Sequence, residues 1–366
     1  MQIKPMMREK VSIILLCGFI LLCLVLASSA ETIVFKSGKT INAEIIQRTN
    51  EFIKIDFNGV YLTYYLDQIE DILKSYPEEQ PPKKAGVIRG NAPEESSSKS
   101  FLWRLNARNC RIYILGSIHY VNKEVYPLDK RIEKAFDESD ILVVEAKTDL
   151  KSTMESQLLL AQKALYSEGD SLQNHISQRV YDFFKRTLNK LNLPVELFVM
   201  YKPWFVSMLL TSMQLQNSGF LPEYGIDAHF MAKAEGKKSI LELESVEYQV
   251  DMLSNLSASE QELFLYMTLL DLDNINEDLP QLINVWSRGD TRTVESILFK
   301  SLQKDSRLVP IFEKIIYERN RNMAKKIEEY SNAGKNYFVV VGAGHLVGEG
   351  GIIEILENKG YSLQQL

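Results

Sequence analysis

Two copies of a four-residue pattern, Gly-x-x-His, close two apolar runs of the chain. Ile112-Tyr113-Ile114-Leu115 leads into Gly116-Ser117-Ile118-His119, and Phe338-Val339-Val340-Val341 leads into Gly342-Ala343-Gly344-His345. A neutral imidazole offers a lone pair to a metal or a proton, so two in one local setting are candidates for metal binding or acid-base work. Carboxylates close two further runs. Glu145 ends Ile141-Leu142-Val143-Val144, and Glu244 follows Ile240-Leu241-Glu242-Leu243. Imidazoles and carboxylates without cysteine suit Zn, Mn, Co or non-haem Fe and are too nitrogen-rich for a Ca or Mg cage. Ligand type alone does not choose among those metals, nor between a metal site and an acid-base site.

The elements around these residues must bring them together. Each apolar run has the length and the β-branched or aromatic content of a buried strand, and the glycine after it lets the backbone turn. The imidazoles are thus presented just past strand carboxyl ends, the rim where open α/β sheets bind ligands. Phe101 to Leu105 and Arg111 to Leu115, separated by 106–109, read as a hairpin leading into the first pattern. A helix over Asp129 to Glu138 then precedes the Glu145 strand, which suggests a parallel crossover unit. Between the two Gly-x-x-His strands the spacing predicts helices over 152–168, 177–191, 195–216, 259–272, 279–288 and 305–330. Ser259 with Glu262 reads as a cap of one of them. After the second pattern a helix over Glu349 to Asn358 stops at Lys359-Gly360, and Tyr361 to Leu363 reads as a last strand. Both ends therefore run strand, Gly-x-x-His, loop, helix, which suggests a duplication around a helical insertion. The expected fold is an α/β (α+β) domain with a central mixed sheet and a large helical insertion.

Other conspicuous residues have plainer readings. Met200, Met208 and Met213 with Phe198, Trp204 and Phe205 recur at helical spacing and read as core or the wall of an apolar groove. His175 reads as exposed surface. Asp227 reads as a helix cap, and nearby His229 reads as an ordinary residue ahead of the alternative of a group that supports the site, because no strand end presents it.

The rest of the chain divides by composition. Lys4, Arg8 and Lys10 precede an apolar stretch from Val11 to Leu26 and then Ala27-Ser28-Ser29-Ala30, the pattern of an export signal over 1–30 cut after Ala30. Residues 31–75 alternate as short strands and carry Asn58-Gly59, a hairpin signal; they suggest a small all-β barrel, loosely similar to Sm-like modules, with a structural or adhesive role. Residues 76–100, rich in Pro, Gly, Glu and Ser, read as a flexible linker, and 101–366 as the main domain. Of the three cysteines, removal of the signal leaves Cys110, so no internal disulfide can form, and Cys110 reads as a small buried apolar residue. A formal charge of -6 over 366 residues, with no basic stripe interleaved with aromatics, argues against a nucleic-acid partner.

From about Phe101 onward the chain resembles the TraB/PrgY/GumN family, which includes the TIKI metalloproteases, within the erythromycin-esterase and ChaN-like superfamily. The resemblance rests on Gly116-Ser117-Ile118-His119, Val143-Val144-Glu145, Lys202-Pro203-Trp204, Gly225-Ile226-Asp227, Leu243-Glu244 followed by Gln249, Arg319-Asn320 ahead of Met323-Ala324, and Gly342-Ala343-Gly344-His345. It implies a divalent-metal-dependent hydrolase in which His119 and His345 bind metal and Glu145 completes the shell or acts as base. Glu244 would support the site, and Arg319 with Asn320 would face the substrate. Such donors can each contribute ~3 kcal/mol where oxyanion charge develops, although the same pair could be a cap or surface pair on the last long helix. The expectation is an exported hydrolase, periplasmic or extracellular, that uses a Mn, Co or Zn ion and a metal-activated water on a peptide or protein. Membrane contact would come only through an uncleaved N-terminal segment. The competing expectations are a protein that sequesters a peptide or metal-bearing ligand without catalysis, and a scaffold whose rim is a relic.

Overall fold

The computed structural model describes residues 31–36, 40–57, 60–74, 99–107, 110–147, 158–160 and 162–366. The export signal expected over 1–30, nearly all of the expected linker and the Asn58-Gly59 turn lie outside the described residues.

Five strands form the first sheet: β1 (Glu31–Phe35), β2 (Thr40–Arg48), β3 (Phe52–Phe57), β4 (Val60–Tyr65) and β5 (Ile69–Lys74), in the order β4-β3-β2-β1-β5. Neighbours are antiparallel, and the period-two alternation buries Ile33, Ile53 and Ile55 completely in a small core. β5 lies beyond the strands read from the sequence and pairs with β1, from Glu31↔Lys74 to Phe35↔Ile69. The outer strands, β4 and β5, do not pair with each other among the described residues. Closure into the expected small all-β barrel is therefore not seen among the described residues.

The second sheet has six strands, β6 (Leu102–Asn106), β7 (Arg111–Ser117), β8 (Ile141–Val144), β9 (Ser239–Glu242), β10 (Tyr337–Gly342) and β11 (Leu363–Gln365), in the order β11-β6-β7-β10-β8-β9. It is mixed. β6 and β7 form the expected antiparallel hairpin, while β7, β10, β8 and β9 are parallel. β11 pairs with β6 two residues later in the chain than the alternation suggested. β8 and β10 are buried along their whole length, as strands covered on both faces by helices must be.

The helices are α1 (Lys130–Asp137), α2 (Gln178–Lys190), α3 (Pro203–Asn217), α4 (Ile226–Ala234), α5 (Val246–Ser254), α6 (Ala258–Asp271), α7 (Ile275–Ser287), α8 (Thr291–Lys304), α9 (Glu318–Tyr330) and α10 (Ile352–Asn358). Of the helix expected over 152–168, residues 158–160 and 162–164 are helical and 151–157 lie outside the described residues. α3 starts at Pro203 rather than at Val195, because proline lacks the N–H an interior position would use and fits the first turn. α6 is capped by Ser257 and Glu260, not by Ser259 and Glu262: Ser257 Oγ accepts from Glu260 N at 3.3 Å and Glu260 Oε2 from Ser257 N at 2.7 Å. The helix expected over 305–330 is broken by a 3-10 turn at Ser306–Leu308, a helical turn at Val309–Phe312 and a π turn at Glu313–Tyr317. α5 and α8 were not read from the sequence, α5 being short and α8 polar on much of its length, and α4 was anticipated only through Asp227 as its cap.

Phe198, Trp204, Phe205, Met208 and Met213 are core, as expected, but Met200 is 48% exposed because it lies in the irregular segment before α3. Cys110 is buried, with its Sγ 3.4 Å from the Ser331 carbonyl. Among the described residues no helix is long and apolar enough to cross a membrane.

Candidate functional site

Strand order decides where the chemistry-bearing residues meet. β10 inserts between β7 and β8, with Gly342 opposite Ser117 and Val340 opposite Val144. Both Gly-x-x-His segments and Glu145 therefore leave the same edge of three adjacent parallel strands. β9 adds Glu244 to that edge, since Leu243 N donates to Val144 O at 2.9 Å and Glu244 N to Glu145 O at 2.8 Å. Two glycines are required by close approach here. A Cβ on Gly116 would stand 2.5 Å from the Phe101 ring, and one on Gly225 would stand 2.4 Å from the carbonyl oxygen of His119.

Each imidazole is held through Nδ1. His119 Nδ1 lies 2.8 Å from Asp227 Oδ1, a carboxylate brought in by the first turn of α4, whose N-cap is Gly225. Asp227 was expected to cap a helix; it lies inside α4 and partners an imidazole. His345 Nδ1 lies 2.6 Å from Asn320 Oδ1, and the Asn320 amide nitrogen donates to Gly350 O at 2.8 Å. A carbonyl can only accept, so the Asn320 amide turns its NH2 toward Gly350 and its oxygen toward His345. The proton of His345 then sits on Nδ1 and the lone pair on Nε2. That Nε2 is buried without a hydrogen-bond partner, 3.9 Å from Glu145 Oε2.

The carboxylates are bound together by one guanidinium. Arg319 Nη2 donates to Glu145 Oε1 and lies 2.8 Å from Glu244 Oε2; Nε donates to the same Glu244 oxygen at 2.9 Å, and Nη1 to the Ile315 carbonyl of the π turn at 3.2 Å. Gln249 of α5 bridges the same pair, its amide nitrogen 3.0 Å from Glu145 Oε1 and 3.2 Å from Glu244 Oε2. Glu145 Oε2 accepts from Gly342 N at 3.1 Å. Arg319 and Asn320 are both 0% exposed. The placement implied by the resemblance, with these two facing a substrate, differs from the structure: Arg319 is committed to two carboxylates and Asn320 to an imidazole and a carbonyl.

These contacts set the charges. Burial alone would raise the Glu145 carboxyl, but the Arg319 charge outweighs it, and the group is lowered to about 2. Burial and the Arg319 charge pull the His345 imidazole down to about 3, so it is neutral at ordinary pH. Glu145 and Glu244 hold the Arg319 guanidinium fully charged against its burial.

His175 and His229 stand apart. His175 stacks on Tyr166 at 4.1 Å and pairs with Asp170, partly exposed as expected. His229 faces Glu133 at 3.3 Å. Sequence reasoning gave Asp227 the wrong role and Gln249 none beyond its place in a motif, because nothing local ties either to a partner more than a hundred residues away.

The donor chemistry of this edge fits a divalent ion, with imidazole nitrogens whose far sides are anchored and a buried lone pair facing a carboxylate oxygen. Among the described residues no three His, Cys, Asp or Glu side chains are close enough together to hold one as they stand.

Fold and site define an α/β protein with paired Gly-x-x-His strands and an arginine-bridged carboxylate pair at one sheet edge. The chain belongs to the TraB/PrgY/gumN family, which matches residues 101–365. It is 26% identical over 249 residues to "Uncharacterized protein YbaP" of Escherichia coli (strain K12), covering 68% of this chain and 88% of that one. It is 25% identical over 328 residues to "Metalloprotease TIKI1" of Xenopus tropicalis, covering 74% of this chain and 62% of that protein. For "Metalloprotease TIKI1" of Homo sapiens the identity is 24% over 332 residues, covering 74% and 63%. No solved structure matches the chain significantly.

Proposed function

We propose that this chain is an exported divalent-metal-dependent hydrolase, a peptidase, in which His119, His345 and Glu145 hold a Mn, Co or Zn ion. The observation that carries the reading is the buried Nε2 of His345, without a hydrogen-bond partner and facing Glu145 Oε2 at 3.9 Å, two electron-pair donors that a bound cation would share. An ion of this kind, when bound, acidifies a water and polarises a carbonyl. The chain's own residues orient the donors: Asp227 fixes the His119 ring, Asn320 fixes that of His345, and Arg319 with Gln249 fixes Glu145. Glu145 serves as an anionic ligand: Arg319, Gln249 and the Gly342 N–H hold its two oxygens in place, and the Arg319 charge keeps it ionised. Glu244 shares the Arg319 guanidinium with Glu145. The relatives named as metalloproteases support the hydrolase class, and the 1–30 pattern supports export to the periplasm or beyond. The division into 1–30, 31–75, 76–100 and 101–366 belongs to the same proposal, supported by two separate sheets with separate cores.

The test is calorimetric titration of the chelator-stripped protein with Mn, Co and Zn, followed by a peptide library with each metal restored. Binding of one metal with cleavage that returns only when it is present, both lost in His345→Ala, is the expected result. No metal uptake by the folded protein would overturn the reading, and tight peptide binding without products would replace it by sequestration.

A further inference from the structure

A cavity of about 470 Å³ opens beside the first Gly-x-x-His strand, apart from the residues just described. Its volume falls within the roughly 300–1,000 Å³ of small-ligand pockets. Phe101, Leu128, Ile132 and Trp286 give it apolar walls, and all four are buried. The Trp286 ring is fixed, because its N–H donates to the Gly116 carbonyl at 2.6 Å. One wall of the cavity is thereby tied to the glycine three residues before His119.

Two charged side chains line the space, Asp129 and Arg288. Asp129 is already balanced: it caps α1 through Arg131 N at 2.8 Å and accepts from Nε and Nη2 of Arg131 at 2.9 and 2.6 Å. Arg288 is exposed and pairs with no carboxylate among the described residues. Its backbone is nonetheless firmly placed. Arg288 is the C-cap of α7, and the next residue, Gly289 at φ 68°, leaves no room for a side chain, since a Cβ there would meet Lys99 O at 2.5 Å. Gln365 clamps the same corner, donating to Gly289 O at 2.8 Å and to Ser100 O at 3.1 Å. Among the described residues, then, this apolar cavity carries on its solvent side a cation that no carboxylate pairs with.

We propose that this cavity is a subsite for the free carboxylate end of an apolar peptide residue. Arg288 pairs with the planar carboxylate through its forked N–H groups, and Phe101, Leu128 and Ile132 receive the side chain. In calling the ligand a substrate, and the cavity the place that sets which end of a peptide is engaged, the proposal rests on the hydrolase reading; the binding chemistry does not.

The test measures binding to the full chain by saturation-transfer NMR, with acetyl-Ala-Leu as free acid and as C-terminal amide. The acid is expected to bind about tenfold more tightly, the worth of one charge-assisted pair. Arg288→Gln should bring the acid down to the amide's affinity and leave the melting temperature unchanged, and Leu128→Trp, which fills the cavity, should abolish binding of both. Equal affinity for acid and amide in the parent protein, or a preference for the acid that survives in Arg288→Gln, overturns the subsite. Failure of the hydrolase reading looks different: the acid preference persists and depends on Arg288, but no metal restores cleavage. Cleavage that returns with metal yet ignores the C-terminal carboxylate refutes the subsite and leaves the hydrolase standing.

Discussion

Replacing Arg319 by Met should be among the most damaging single changes in the chain, and the damage should depend on pH in a direction opposite to that of the parent. Arg319 is 0% exposed and bridges two carboxylates that are themselves almost fully buried, Glu145 at 7% and Glu244 at 6%. Breaking a buried ion pair from one side costs about 3–5 kcal/mol, because the remaining charge has lost its partner and cannot recover its water. At about 2–4 °C per kcal/mol for a domain of this size, the melting temperature should fall by roughly 10 °C. In the parent protein the Glu145 carboxyl is lowered, so its contribution is complete above the unfolded value near 4.5 and is lost as the pH falls toward about 2. Without the guanidinium, the burial that works to raise the Glu145 carboxyl loses its main counterweight. The charged form of Glu145 is then penalised as pH rises, and Arg319→Met should regain stability on going from pH 8 to pH 5. Urea unfolding followed by fluorescence of the buried Trp103, Trp204 and Trp286 reads this directly. Glu244→Gln in the same chain should recover part of the loss by removing one of the two stranded charges. A loss below about 1 kcal/mol, a destabilisation that does not ease at pH 5, or strict additivity with Glu244→Gln would refute the assignment of Arg319 as the charge bridge.

Other outcomes follow from the same contacts. Asn320→Leu and Asp227→Asn, which release or weaken the hold on the two imidazoles, should each reduce divalent-ion affinity by about 10–100-fold with little change in far-UV circular dichroism, checked by calorimetric titration. Ser257→Ala should cost about 1 kcal/mol by opening the capping box of α6, whereas Ser259→Ala should stay within about 0.5 kcal/mol, as paired urea titrations would show. The Glu260 carboxyl in that cap is lowered by Lys314 and Ser257 against its desolvation, so the cap's contribution is complete above about 4.5 and declines as acid is added.

Much of this protein was decided locally. The apolar runs that became β7, β8 and β10, the hairpin into the first Gly-x-x-His, the glycines that end the strands and the helical character of the middle all follow from side-chain periodicity and backbone permissiveness over a few residues. Family membership was legible too, because the motifs that carry it are short and contiguous in the chain, and the family model matches residues 101–365. Where local signals were ambiguous the reading slipped: serines two residues apart competed for one cap, the start of α4 was misplaced onto Asp227, and α5 and α8 were not distinguished from loops.

Tertiary structure alone decided the site. No property of residues 337–342 says that they will lie between β7 and β8, yet that strand order brings Glu145 against Gly342 and within 3.9 Å of His345. Helix propensity in 318–330 is equally silent about whether Arg319 and Asn320 face solvent or sheet; packing turned both inward, one onto two carboxylates and the other onto an imidazole. Asp227 became the partner of His119 because α4 starts against the loop after β7, a contact between residues 108 positions apart. Local sequence sets which segments can be strands or helices, but strand order and helix facing are settled by the burial and hydrogen bonding of distant segments, and those are the terms that build this site.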